Sequence, residues 1–250
     1  MIPPVLVLTL SFVVLWLSER VGVALHQQRP PDENMSHDLD VLVAATLTLL
    51  GLIIGFSFSM ATNRYDQRKN CEEAEANAIG TEYVRADLLP TAEAARVRAL
   101  LVNYLDLRVL FYKTPDGDQL RQINNATGQL ETNLWSAVLA PEVVPQDAPL
   151  HSLAVSGMND VLNSLGYTQA AWWNRLPTAA WVLMILIAIC ANVVFGYGGR
   201  RCKVGAIHVV LPLVLSIALF LIADIDSPRR GVIRVIPQNL VSLAESLHAR

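Results

Sequence analysis

Four glutamates close together in the chain are the densest group of side chains that could do chemistry. They are Glu72, Glu73, Glu75 and Glu82. Carboxylates on helices can hold metal ions, but such sites also carry a histidine at helical spacing from a glutamate. No histidine stands at that spacing here. We therefore interpret the group as a solvated or ion-paired helix face, and the sequence predicts no metal site and no cofactor.

The sequence lacks the motifs of the common catalytic classes. It has no glycine-rich phosphate loop, no metalloprotease histidine pair and no Cys-x-x-Cys pair. The segment Gly55–Ser59 superficially resembles a nucleophile elbow, but it lies inside a long apolar run. We therefore expect no enzymatic activity. The cysteines predict no disulfide framework, because Cys71 and Cys202 are expected on opposite sides of a membrane and Cys190 within it.

His208 is an ionisable residue near the start of another apolar run. Ionisable groups inside membranes commonly belong to ion paths or switches, and histidine titrates near physiological pH. An interfacial histidine with a satisfied hydrogen bond is an equally good interpretation. The middle of each apolar run lacks Asp, Glu, Lys and Arg, which argues against a proton pump or a voltage sensor.

Four apolar windows must position these residues. A helix needs about 20 apolar residues to cross roughly 30 Å of hydrocarbon. The windows of that length are Val5–Leu25, Val41–Ala61, Leu176–Tyr197 and Val204–Ala223. The hydrophobic fraction of 53%, the charged fraction of 16% and the mean hydropathy of +0.38 also place the chain among membrane proteins. A net charge of -3 gives no indication of a nucleic-acid partner.

The second window has one face of small residues. Gly51, Gly55 and Ser59 recur every fourth residue, and small residues at this spacing favour close helix packing. The same face could instead line a pore, as could the face that carries Phe56 and Met60. Both roles are compatible, because a helix has more than one face.

This window ends in polar residues where lipid headgroups would lie. Asn63, Arg64 and Arg68 follow it directly, and cations at that depth are typical of span ends. If the second span lines a pore, these three residues are candidates for its mouth. Their positive charge would raise the local concentration of anions.

We predict an all-α integral membrane protein with four transmembrane helices and a helical bundle between spans two and three. The expected domains are a transmembrane hairpin at 1–62, a helical extramembrane domain at 63–175, a second transmembrane hairpin at 176–224 and a C-terminal tail at 225–250. The second span should continue as one long helix that Pro90 stops, because the chain beyond Arg64 is rich in Ala and Glu without proline.

Local signals predict the helices of the bundle and tail. Thr91 is the expected N-cap of a helix whose apolar stripe forms part of the bundle core. Pro237 is expected to open a short C-terminal helix that lies on the membrane surface or packs on the bundle. Three tryptophans are expected near the membrane interface at the start of span three, namely Trp172, Trp173 and Trp181.

The basic residues predict an orientation. Seven Lys and Arg residues flank the spans on the side of the large block, against five on the other side. This predicts a cytoplasmic block with both termini inside, in a multi-pass protein of the plasma membrane. The first span lacks a preceding basic residue, so we expect it to be retained, although Gly22–Ala24 could serve as a cleavage site.

Four segments resemble the bestrophin-like family of bacterial four-span membrane proteins, a family that is defined by sequence. They are Gly55–Arg68 (GFSFSMATNRYDQR), Glu73–Pro90 (EAEANAIGTEYVRADLLP), Asn103–Arg108 (NYLDLR) and Asp226–Val235 (DSPRRGVIRV). This family is distantly similar to bestrophins, pentameric channels whose second span lines a hydrophobic neck. In bestrophins that span exits into an aromatic and basic segment that Asn63–Arg68 resembles. Asp66–Arg68 occupy the place of the tryptophan pair that is expected there.

The resemblance implies a homo-oligomeric ion channel in a lipid bilayer, with small anions as its permeating ions and the second span near the pore. The alternative is a membrane scaffold or sensor that does not conduct and whose helical domain binds a partner. The subunit count distinguishes the two, because a central conduit needs several copies around it.

Overall fold

The computed structural model describes residues 4–28, 31, 33–115, 117–140, 144–198 and 207–249. Within these ranges the chain folds into helices and contains no strand, which confirms the predicted all-α class. The α-helices are α1 (Pro4–Gln28), α2 (Glu33–Arg85), α3 (Thr91–Lys113), α4 (Asp118–Leu139), α5 (Ala148–Trp173), α6 (Thr178–Gly198), α7 (Ile207–Asp226) and α8 (Gln238–His248).

In the part of the chain that the structure describes, four helical stretches are long and apolar enough to cross a membrane. They are Val5–Gln28, His37–Leu88, Ala148–Gly198 and His208–Asp226. Each overlaps one of the four windows predicted from the sequence, so the four candidate spans are confirmed. The connection that carries Cys202 and the start of the fourth predicted window lie outside the described residues, and both Cys71 and Cys190 are free thiols.

The second helix is far longer than a bilayer requires. It comprises 53 residues, which at 1.5 Å per residue is roughly 80 Å. A short 3₁₀ turn, Ala86–Leu88, follows it, and Leu89 is extended before Pro90. Because the residue before a proline is disfavoured in the helical region, Pro90 ends this helical path. The predicted continuation of span two as one helix is confirmed.

The chain divides into two compact units. The first unit comprises Met1–Arg64 and Arg175–Ile233, and the second comprises Tyr65–Asn174 and Arg234–Arg250. The helix α2 contributes its apolar first part to one unit and its polar second part to the other.

Glycines allow close packing of α1 on α6 in the first unit. A methyl group added at Gly22 would overlap the backbone oxygen of Val193, and one added at Gly196 would overlap the backbone oxygen of Glu19. Both obstacles are main chain and cannot rotate away. Small residues at helix contacts let two backbones approach closely, which favours association within a bilayer.

The second unit is a helical bundle with one hydrophobic core. Residues from the predicted stripe of α3 are buried in it, among them Val97, Leu101 and Tyr104, which are fully inaccessible. The C-terminal helix α8 begins after Pro237 and adds Leu240 and Leu247 to the same core. Of the two predicted places for the tail helix, the structure therefore shows packing on the bundle.

One local prediction was wrong, that of the N-cap of α3. The N-cap of α3 is Pro90, and Thr91 is already the first helical residue, without a capping side chain. Trp172 lies in the bundle core, and its placement near the membrane interface stays a prediction. It is only 5% exposed, because its ring packs edge-on against Phe111 at 5.2 Å and against Tyr112 at 5.5 Å. Trp173, its neighbour in sequence, is 72% exposed. Helical geometry turns adjacent residues by about 100°, so only one of the pair can enter the core.

We expect Gly196→Ala to lower the free energy of unfolding by about 1–3 kcal/mol, because the added methyl group forces the α1 and α6 backbones apart. Thermal unfolding of the detergent-solubilised protein measures this effect. Gly128→Ala is the matched control, since an added methyl group at Gly128 in α4 meets no atom within 4 Å. Equal unfolding midpoints for the two variants would contradict the proposed close contact.

Candidate functional site

The apolar part of α2 has one covered face and one uncovered face. Leu50 and Ala61 are fully buried and Ser57 is 4% exposed, and these positions share a helix face by their spacing. The other side of the helix is open. Phe56 is 64% exposed and Met60 is 40% exposed within the single chain.

The predicted small-residue face belongs to the open side. Gly51, Gly55 and Ser59 are all exposed, and an added methyl group at either glycine would meet nothing within 4 Å. The described residues of this chain therefore do not use these glycines for helix packing. The face is free for lipid, for another copy of the chain or for a water-filled conduit.

The three predicted mouth residues differ in their surroundings. Asn63 is exposed and Arg64 is half-buried, with its Nη1 atom lacking a hydrogen-bond partner among the described residues. Arg68 is only 1% exposed. It donates from Nε to the carbonyl oxygen of Ala171 at 3.2 Å and from Nη2 to that of Asn174 at 3.1 Å.

These contacts assign Arg68 a structural role. Carbonyls at the end of a helix have no partner in their own helix and attract cations, and Arg68 satisfies two of them at the end of α5 within the second unit. The expectation that Arg68 lies at a pore mouth therefore has no support in its geometry.

His208 pairs with a carboxylate in the first unit. Its Nδ1 atom contacts Oε1 of Glu19, whose side chain is almost completely buried, and the ring of Phe195 lies edge-on to the imidazole at 6.2 Å between centroids. The Oε2 atom of Glu19 has no hydrogen-bond partner in the described parts of the chain. A switching role for His208 stays a prediction.

Glu19 was not predicted from the sequence as the partner of His208. Glu19 lies within the first apolar window, where a carboxylate is costly unless it is paired. His208, in the fourth window, is a side chain that can supply such a partner. The pairing itself joins residues 189 positions apart, and sequence spacing carries no information about it.

Buried contacts surround Glu75 in the second unit. Its carboxylate binds the guanidinium of Arg108, which is 1% exposed, and accepts hydrogen bonds from Tyr112 at 3.3 Å and Thr168 at 3.2 Å. A buried ion pair is favourable only when hydrogen bonds satisfy its remaining atoms. Glu75 is therefore ion-paired as one interpretation predicted, but it faces the core and not the solvent.

Glu72 and Glu82, on the same helix as Glu75, are also buried. The predicted solvated face therefore holds only for Glu73, which is exposed. Glu72 accepts hydrogen bonds from Asn239 at 2.7 Å and from the backbone N–H of Leu240 at 2.9 Å, at the start of α8. A carboxylate at this place satisfies a free N–H of the first helical turn. Glu72 thus fixes the C-terminal helix to the bundle.

Glu82 is the least satisfied of the four acids. Both of its carboxylate oxygens are buried and have no hydrogen-bond partner among the described residues, and Gly157 of α5 leaves them room. Glu82 lies roughly 30 Å along α2 from the end of the apolar run. Burial raises the pKa of this carboxyl to about 8, while the charge of Arg85 lowers it and that of Asp160 raises it further.

Comparisons with known proteins agree with this architecture. A family model described as a bestrophin-like domain matches residues 5–240. Several solved structures of a bacterial bestrophin homologue from Klebsiella pneumoniae have a similar fold. One variant superposes with a TM-score of 0.64 at 13% identity and covers 97% of this chain and 98% of that chain. For a second variant the TM-score is 0.67, the identity 13%, and the coverage 97% and 94%. No curated protein sequence matches the chain.

We predict that the stability of the protein falls as pH rises from about 4.5 to about 8. The folded chain keeps the Glu82 proton to a higher pH than the unfolded chain does, so folding takes up a proton in this range. Glu82→Gln removes the titrating group and keeps its shape. The midpoint of thermal unfolding should therefore fall less with pH in Glu82→Gln than in the wild type.

The matched control is Glu73→Gln, which changes an exposed carboxyl on the same helix. It should reproduce the wild-type pH profile. Parallel profiles for wild type and Glu82→Gln between pH 5 and pH 8.5 would show that the carboxyl of Glu82 titrates normally.

Proposed function

The chain belongs to the bestrophin-like family, whose known members are ion channels, and we propose that it forms a homo-oligomeric channel for small anions. In this proposal α2 lies next to a central conduit, and the exposed side of its apolar part faces that conduit or the neighbouring copy. The open face of α2 is the observation that carries the proposal.

Small residues favour close packing between membrane helices. The small-residue face of α2 is not packed against the rest of the described chain, which favours a contact with another copy. The space beside Gly51 and Gly55 is empty in the single chain. The space beside Gly22 and Gly196, in contrast, is occupied by the backbone of the facing helix. Small residues that face outward allow a second copy to approach. An assembly of several copies would cover this face.

The bulky residues next to the glycines suit a hydrophobic constriction. Phe56 and Met60 are exposed on α2 within its apolar run, and apolar rings in a narrow pore gate conduction by expelling water. We assign Asn63 and Arg64, at the end of that run, to the mouth of the conduit. The charge of Arg64, repeated in each copy, would concentrate anions there.

We also propose an orientation for the protein in the plasma membrane. The second unit and both termini lie in the cytoplasm in this proposal, because more basic residues flank the spans on that side. Four candidate spans are consistent with both termini on one side of the membrane.

We predict chloride flux from proteoliposomes that contain the purified protein. Phe56→Ala should increase the flux several-fold, because a smaller side chain admits water to the constriction. Arg64→Ala should decrease chloride flux, and Arg64→Lys should retain most of it because the charge is kept. Leu186→Ala, at an exposed position of α6, is the control and should leave the flux unchanged.

Absence of chloride flux for the wild-type protein in several lipid mixtures would overturn the channel proposal. Cation flux in place of chloride flux would retain the conduit and refute its proposed selectivity.

The mass of the detergent-solubilised complex tests the assembly separately. We expect a ring of several copies, with five as the number that the similarity to bestrophins suggests. A monomer or dimer would exclude a central conduit and would favour the scaffold or sensor alternative. Light scattering with correction for bound detergent measures this mass.

A further inference from the structure

A cavity of about 470 Å³ lies in the first unit, between α1, α6 and α7. Cavities of about 300–1,000 Å³ commonly hold small ligands. Its apolar wall includes Val14 and Leu15 of α1, Ile185 of α6 and Leu219 of α7. All three helices are candidate membrane spans, so a ligand can enter from the bilayer.

The polar residues of this cavity gather at one end. Arg175 precedes α6, Asp226 is the last residue of α7, and Ser227 follows it. The backbone N–H of Leu176 donates to Oδ1 of Asp226 at 3.0 Å, which joins the start of α6 to the end of α7. The three polar residues therefore lie together where α6 begins and α7 ends. We call them the cavity mouth and define it as Arg175, Asp226 and Ser227.

The remaining polar residue of the lining does not offer a polar contact. The hydroxyl of Ser11 donates to the carbonyl oxygen of Val7 in its own helix at 2.6 Å. Behind the mouth the cavity is therefore apolar in effect. An apolar interior with one polar end matches an amphiphile, whose chain is buried and whose head stays at the membrane interface.

Hydrogen bonds also hold the segment that follows the mouth. Asp224 is 1% exposed, and its carboxylate accepts hydrogen bonds from the backbone N–H groups of Val232 at 2.7 Å and Ile233 at 2.8 Å. These bonds fix the turn after α7, which begins with Ser227. A site that is formed before binding loses less entropy when the ligand arrives.

We propose that this cavity binds one acyl chain of a zwitterionic phospholipid whose phosphate lies against Arg175 and Ser227 and whose ammonium group lies against Asp226. The mouth carries one cation and one anion, so its charge is balanced. A headgroup that also carries both charges complements it, whereas a free fatty acid or an anionic lipid would bring an uncompensated negative charge near Asp226. Trp181, in the first turn of α6, lines the cavity, and tryptophan favours this depth of the membrane.

Native mass spectrometry of the full chain in detergent tests the proposal after endogenous lipid has been removed. Phosphatidylethanolamine, phosphatidylglycerol and palmitate are added in turn. We expect phosphatidylethanolamine to bind about fivefold more tightly than phosphatidylglycerol. Equal binding of the two phospholipids, or tighter binding of palmitate, would overturn the proposed headgroup.

Variants of the lining locate the site. Ala223→Phe places a ring inside the cavity and should weaken phosphatidylethanolamine binding about tenfold, because the buried chain loses its space. Ala179→Phe makes the same change at an exposed position of α6 outside the lining and should bind as the wild type does. Equal lipid binding by the two variants would overturn the assignment of the cavity.

Variants of the mouth test the headgroup contacts. Arg175→Gln should weaken both phospholipids about fivefold, and Arg175→Lys should restore binding. Asp226→Asn keeps an acceptor for the N–H of Leu176 and should abolish the preference for phosphatidylethanolamine. An unchanged preference in Asp226→Asn would refute the ammonium contact.

A fluorescence measurement avoids dependence on a bulky substitution. Phosphatidylethanolamine with brominated acyl chains, added at stoichiometric amounts in detergent, should quench part of the tryptophan emission. Trp181→Phe should remove the quenched part, since Trp181 lines the cavity. Quenching that is the same in wild type and Trp181→Phe would place the bound chain elsewhere. The proposal does not depend on channel activity, so either one can fail alone.

Discussion

Backbone groups inside a bilayer must bond to each other, and the remaining structure depends on this constraint. An unsatisfied N–H or C=O costs several kcal/mol in hydrocarbon, about as much as the stability of many domains. Each apolar stretch of this chain therefore forms a helix, and the long helix α2 extends this pattern beyond the apolar run. The hydrophobic effect does not join helices in lipid, so close packing must do so. Gly22 and Gly196 supply the small surfaces that this packing needs.

In the second unit the long helix carries acids into a hydrophobic core, where each buried carboxylate needs a partner. Glu75 is satisfied by Arg108 and by two hydroxyls, and Glu72 by the start of α8. Glu82 has no such hydrogen bond among the described residues, and its burial raises its pKa, so it keeps its proton to a higher pH than usual. Together the first two acids tie α2 to α3, α5 and α8. One helix thereby organises the bundle through polar contacts as well as through its apolar residues.

The first unit has two surfaces with different proposed partners. One is the open face of α2, and the other is the cavity between α1, α6 and α7. The face has an outward row of small and bulky residues, and in the proposed channel it contacts other copies of the chain around a conduit. The cavity has a polar mouth and an apolar interior, and the proposed ligand there is a single lipid.

Local sequence patterns were enough to predict five features. They are the helical class, the four candidate spans, the continuation of span two, the end of that helical path before Pro90 and the start of the helix after Pro237. These features depend on apolar runs and prolines, which act on residues near them in sequence. Contacts in the folded chain establish that His208 meets Glu19 and that Arg68 binds the end of α5. Each of those outcomes depends on contact between residues that are far apart in the chain. Charge and hydrophobicity show that a residue needs a partner, but only the packing of helices selects which partner it obtains.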